Sequence, residues 1–166
     1  MGSVDLAIVG FGRIGRIHAD NILSMQHANL KMIVDPILDI DEELKRRGIQ
    51  QSKNIADLFS LQKIDGVIIC SPSNYHVEQI KELSKATKNI FCEKPLGLSI
   101  KEIMEVKSLV DSKNLNLHIG FNRRYDPDFS SLQSSIVSGD IGTLHMIKII
   151  SRDPSPPPIS YIEKSG

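Results

Sequence analysis

The chain has 166 residues, 40% hydrophobic and 24% charged, a globular composition with room for one full domain and too little for two of typical size. Twenty basic residues balance twenty acidic ones, so no global field draws it to nucleic acid or to an anionic membrane surface. The start lacks the regions of a signal peptide, no apolar run approaches a membrane span, and the two cysteines, Cys70 and Cys92, read as small buried hydrophobes of a reducing cytoplasm.

In chain order, Leu6-Ala7-Ile8-Val9 reads as a buried strand that runs into Gly10-Phe11-Gly12-Arg13-Ile14-Gly15 and a helix over about residues 12 to 24. The glycines fit G-x-G-x-x-G, with a tight turn at Gly10, close backbone approach to a pyrophosphate at Gly12, and close packing of helix on strand at Gly15. The N–H groups and positive end of that helix would face the phosphate. The same pattern also opens ordinary strand-turn-helix units. Asp35 ends the apolar run Leu30 to Val34, where an acid accepts hydrogen bonds from the ribose hydroxyls of NAD and repels the 2′-phosphate of NADP. Its other reading is a turn residue before Pro36.

Further along, Asp39 with Glu42 three residues on predicts the start of a short helix to about Arg47, and Asn54 to Leu61 a second short helix. Val67-Ile68-Ile69-Cys70 has the unbroken apolar character of a parallel strand covered on both faces. Ser71-Pro72-Ser73 breaks it, and Val77, Ile80, Leu83 and Ala86 recur at helical spacing in the next element. Asn89 to Cys92 is another short strand, followed by Glu93-Lys94-Pro95. The capping box Ser99 to Glu102 opens a helix with an apolar stripe of Ile100, Ile103, Met104, Val106, Leu109 and Val110. Leu115, Leu117 and Ile119 alternate in a strand closed by Gly120. This alternation predicts an α/β fold, a Rossmann-type doubly wound parallel sheet with its crevice at the carboxyl ends of the strands.

After Gly120 the pattern changes. Asp126-Pro127 starts a helix over 128 to 138, a strand is expected over about 143 to 151, and Asp153 to Pro158 reads as an extended proline-rich loop, either a spacer or a segment packed near a site. The strand needs partners that the chain does not obviously supply, which predicts self-association.

Three segments fall at strand ends: Cys70 to His76, Phe91 to Pro95, and Gly120 to Arg124. Lys94 stands out, because a lysine at a strand end can orient a substrate hydroxyl and ease off its proton. The plainer reading of Glu93 and Lys94 is an exposed ion pair, and that of His76 a surface residue. Pro95 raises the chance of a cis peptide. The histidines and cysteines lack metal-ligand spacing, so no metal site is expected.

The segments Val9 to Gly15, Val34-Asp35-Pro36, Ser71 to His76 and Glu93-Lys94-Pro95-Leu96 together resemble the glucose-fructose oxidoreductase, inositol dehydrogenase and rhizopine catabolism (Gfo/Idh/MocA) family. Gly120 to Pro127 and Ser151 to Pro158 look most like its inositol 2-dehydrogenase branch. The resemblance implies NAD as cofactor, contacted by Gly10, Phe11, Gly12, Arg13, Ile14, Asp35, Ser71, Pro72, Asn74, His76, Glu93 and Lys94. It also implies oxidation of a secondary alcohol of a cyclic polyol or sugar, with myo-inositol the first choice, Lys94 as the catalytic residue, and Asn122 and Arg123 beside it in substrate binding. Residues 1–120 are then an NAD-binding domain and 121–166 the beginning of an incomplete α+β substrate domain, in a cytoplasmic homo-oligomer. Family members continue into an Asp-x-x-x-His element that carries the general base, and this chain stops before it. Little or no turnover is expected of the isolated chain, and a non-catalytic NAD-binding module or sensor subunit is the alternative.

Overall fold

Apolar runs separated by glycine and polar turns become six strands, each followed by a helix or a 3-10 turn, in the computed structural model, which describes residues 2–152, 155–157 and 159. The chain forms two compact units, the first reaching Gly120 and the second beginning at Phe121. In the first unit the elements are β1 (Val4–Val9), α1 (Arg13–Ser24), β2 (Ala28–Val34), α2 (Glu42–Arg46), β3 (Gln50–Ser52), β4 (Gly66–Ile69), α3 (His76–Leu83), β5 (Asn89–Cys92), α4 (Ile100–Lys113) and β6 (Asn116–Ile119). All neighbours pair in parallel in the order β3-β2-β1-β4-β5-β6. The direction of winding reverses between β1 and β4, and the crevice of such a sheet opens at their carboxyl ends.

The strands are unbroken apolar runs because both faces of the sheet are covered. Ala7 and Val9 join Val67, Ile69, Ile90 and Cys92 on one face under Ile80, Leu83 and Val106 of α3 and α4. Ile8, between them in sequence, joins Ile33 on the other face under Ala19 and Ile22 of α1 and Leu44 of α2. Fully burying a side chain such as Ile80 or Leu83 contributes about 1.5–3 kcal/mol each. Helix α1 presents Gly15, Ala19 and Ile22 at i, i+4 and i+7, so its inner face is small where it meets the glycine turn and bulky farther along. Helix α4 has both bonds of its capping box, Glu102 N–H to Ser99 Oγ at 3.3 Å and Ser99 N–H to Glu102 Oε2 at 3.0 Å. It ends at Asn114 in the left-handed conformation.

The structure departs from expectation at several places. Strand β3 is polar and carries no hydrophobic signal; three main-chain pairs with Met32, Ile33 and Val34 hold it. The cap of α2 is Asp41, whose carboxylate accepts Leu44 N–H at 3.1 Å, while Asp39 takes the Gln51 amide at 2.7 Å. Residues 55–60 form a 3-10 helix. Of the expected α4 stripe only Val106 is fully buried; Ile100, Ile103 and Met104 are exposed, because α3 and the strand face cover only one side of this helix.

The second unit opens with a 3-10 turn, Asn122–Tyr125, followed by α5 (Pro127–Val137). Asp126 caps α5 by accepting Asp128 N–H at 2.9 Å and Phe129 N–H at 3.2 Å, and Pro127 occupies a first-turn position where no amide is missed. The strand expected over 143 to 151 is not formed: among the described residues these have no ladder partner, and β-branched residues without one do not make a strand. The proline-rich run Asp153 to Pro158 lies partly outside the described residues.

Candidate functional site

The glycine turn fixes the site's geometry. Gly10 has φ of +93°, and a Cβ there would lie 2.5 Å from Ser71 N, so the residue must be glycine both for its backbone and for the approach of the β4 loop. At Gly15 a Cβ would lie 2.0 Å from the Gly10 carbonyl oxygen, which sets how closely α1 packs on the turn. Gly12 differs: nothing stands within 4 Å of where its Cβ would be. It is also the N-cap of α1 and offers no side-chain acceptor, so the first-turn amides of that helix have no side-chain cap and open space before them. A diphosphate fits that arrangement. Arg13 is exposed and Ile14 half-buried, and Arg16 lays its guanidinium 4.4 Å from the centre of the buried Phe11 ring.

Asp35, buried at the end of β2, accepts Phe11 N–H on Oδ2 at 2.7 Å, and Ile37 and Leu38 N–H on Oδ1 at 2.9 and 2.7 Å. The acid therefore links the β2 tip to the glycine turn, a duty that its place after an apolar run does not reveal. Among the described residues Oδ2 accepts one hydrogen bond and retains a second acceptor position.

At the ends of β4 and β5 the expected residues have distinct surroundings. Pro72 and Asn74 are exposed around a 3-10 turn, Ser73–Tyr75, and the Ser71 hydroxyl bonds to the Gln79 side chain at 2.5 Å. His76 is 1% exposed rather than on the surface, with Nδ1 at 2.7 Å from the Pro95 carbonyl and Nε2 at 2.8 Å from the Ser71 carbonyl. It stands behind the two loops and ties one to the other. The Lys94–Pro95 peptide is cis. Glu93 does not pair with Lys94: its Oε1 is 2.9 Å from His18 Nε2 on α1, and its Oε2 accepts the Lys94 main-chain N–H at 3.3 Å. Lys94 itself is exposed, and among the described residues its ammonium makes no ion pair.

Burial pushes the thiol of Cys92 up to about 12, and burial followed by the Glu93 charge raises that of Cys70 further, so neither is a nucleophile at neutral pH. Sequence reasoning missed the contact that His18 makes with Glu93. The histidine lies 75 residues from Glu93, and only its position one helical turn beyond Gly15 hinted that it overhangs the sheet. Asn122 and Arg123 fall in the second unit, where Arg123 donates to Ser151 Oγ at 3.1 Å and its guanidinium lies 5.0 Å from the Phe129 ring centre.

Residues 4–121 match a family described as an oxidoreductase family with an NAD-binding Rossmann fold. The chain is 40% identical over 161 residues to the uncharacterized oxidoreductase YrbE of Bacillus subtilis, covering 96% of this chain and 47% of that protein. It is 37% identical over 163 residues to the myo-inositol 2-dehydrogenase of Thermotoga maritima, covering 97% and 49% respectively. Among solved structures, the scyllo-inositol dehydrogenase of Lactobacillus casei with bound NAD(H) and scyllo-inositol superposes with a TM-score of 0.77 at 34% identity, over 84% of this chain and 42% of that one. The chain spans about half the length of the curated relatives it matches.

Proposed function

Because the chain belongs to the Gfo/Idh/MocA oxidoreductases, whose NAD-binding fold its residues 4–121 match, we propose that it binds NAD and serves a dehydrogenase acting on a secondary alcohol of a cyclic polyol, myo-inositol first. The observation that carries this reading is the uncapped start of α1, with open space at Gly12 and a buried acid at Asp35 beside it. The amides of Arg13 and Ile14 would hold the pyrophosphate, and Asp35 the adenosine ribose. The acid's charge disfavours a 2′-phosphate, so NAD is preferred to NADP. Bound NAD supplies the two-electron acceptor for oxidation of the alcohol.

Lys94 is assigned the reacting hydroxyl: its exposed ammonium donates to the oxygen and eases the proton away. Ser71, Pro72, Asn74 and the main chain of Glu93 are assigned to the nicotinamide side, with His76 holding their loops in place. Asn122 and Arg123 are assigned to substrate by resemblance alone. In this reading residues 1–120 serve the cofactor, and the protein works in the cytoplasm as a homo-oligomer.

Calorimetric titration tests the reading. NAD is expected to bind and NADP to bind at least about tenfold more weakly, a difference of about 1.4 kcal/mol. Absence of NAD binding by the folded chain would overturn it. In the longer, turnover-competent form of the protein, replacing Lys94 by Ala is expected to abolish turnover and leave NAD affinity within about twofold, since the exposed ammonium serves the substrate hydroxyl far more than the cofactor. Equal loss of both would reduce Lys94 to a cofactor ligand.

A further inference from the structure

Glu93 and Lys94 are neighbours in sequence with opposite charges, and the carboxylate is engaged elsewhere. Glu93 Oε1 lies 2.9 Å from His18 Nε2, with both side chains 21% exposed. Three contacts make that pairing specific. The His18 ring meets Phe91 edge-on, centroids 5.3 Å apart at 63°, and Phe91 is stacked in turn on His118 at 5.5 Å. The second oxygen, Oε2, accepts the Lys94 main-chain N–H at 3.3 Å and lies 3.1 Å from where a Cβ at Gly120 would stand, so the absence of a side chain there makes its room. An unbroken path of contacts thus runs from α1 through His18 and Glu93 to the backbone of Lys94, while the Lys94 ammonium makes no ion pair among the described residues.

We propose that His18 is a positioning residue for Lys94: it holds the Glu93 carboxylate away from the neighbouring ammonium and, through it, fixes the backbone from which Lys94 projects. The reason is competition for one acceptor. A carboxylate freed from His18 has the neighbouring ammonium within reach, and even a weak exposed pair competes with the substrate oxygen for that ammonium and leaves the backbone of Lys94 without its link to α1. The device also ties the lysine to the helix whose amino end faces the glycine turn, so both ends of the candidate site share one rigid support. What Lys94 does with the free ammonium rests on the function proposed above; the placement itself does not.

The test is ¹⁵N relaxation on the whole chain without any ligand. The Lys94 amide is expected to be rigid, with an order parameter of about 0.85, and to fall to about 0.6 or below in His18→Leu, which fills the space without a donor. His18→Gln, whose amide can donate to the carboxylate, is expected to restore it. The Ile90 amide, inside the β5 ladder, is expected to stay unchanged in both variants. An unchanged Lys94 amide in His18→Leu, or equal loosening at Ile90, would overturn the proposal. If His18→Leu does not fold, His18→Asn, polar but too short to reach Glu93, carries the same expectation. The relaxation data need no cofactor, so a chain that failed to bind NAD would sink the functional reading and leave this placement to stand or fall separately.

Discussion

Asp35→Ala is the substitution whose cost follows most directly from the structure. The carboxylate accepts three main-chain N–H groups, at 2.7 Å from Phe11, 2.9 Å from Ile37 and 2.7 Å from Leu38. A hydrogen bond to a charged acceptor contributes about 1.5–3 kcal/mol net, and the Phe11 amide lies in the interior where water cannot replace the lost partner. The amides of Ile37 and Leu38 sit in a partly exposed turn and recover much of their loss by rehydration, about 0.5 kcal/mol remaining at each. The total is about 3 kcal/mol, a large part of the 5–15 kcal/mol that holds a typical domain together. With a urea slope of about 2 kcal/mol per molar, the unfolding midpoint should fall by about 1.5 M, followed by far-UV circular dichroism. Asp35→Asn, which keeps one oxygen acceptor without the charge, should fall between. A midpoint for Asp35→Ala within about 0.3 M of the parent would refute the strut, leaving a side chain whose only duty is toward ribose.

Other outcomes follow from the same geometry. Gly12→Ala, entering open space, should leave stability within about 1 kcal/mol and weaken NAD binding at least about tenfold, whereas Gly15→Ala, driven against the Gly10 carbonyl, should cost more than about 3 kcal/mol; chemical denaturation and calorimetry separate the two. The thiols of Cys70 and Cys92 should be almost silent to Ellman's reagent in the native chain at pH 8, since a thiol at about 12 is only about one part in ten thousand thiolate there, and should react in full once denaturant exposes them. The Asp5 amide and then the Lys63 ammonium hold the Asp65 carboxyl below its ordinary range. Stability from that carboxylate is present above its unfolded pKa and is lost as pH falls through the lower folded one, so Asp65→Asn should flatten the acid limb of the stability profile and leave the alkaline limb alone.

Much of the sheet was legible because Ile8 to Val9, Ile33 to Val34 and Val67 to Ile69 are too apolar for anything but an interior, and because the tight turn at Gly10, the close packing at Gly15 and the helix cap at Ser99 each admit few residue types. What escaped has a physical reason in each case. Gln50-Gln51-Ser52 is a strand by main-chain pairing alone, at an edge where side chains need not be apolar. The run 143 to 151 has the composition of a strand and no partner among the described residues, and composition does not supply one. His76 looked like a surface residue because its identity says nothing of the two carbonyls that enclose it. The place of Asp35 after the apolar run puts it at the β2 tip but says nothing of its hydrogen bond to Phe11. His18 and Glu93 meet only through the fold.

The placement of β1 between β2 and β4 has a bearing on how the protein is born. Strand β1 leaves the ribosome ahead of both its partners and pairs with Ala28 to Val34 soon afterwards, but its other edge, from Leu6 to Val9, waits for Gly66 to Ile69. Until then the nascent chain carries an open apolar edge of the kind that recruits chaperones or neighbours. Strand β1 is thus completed only after β2 and β3 have joined, and the glycine turn takes its final shape only once Ser71 arrives against Gly10.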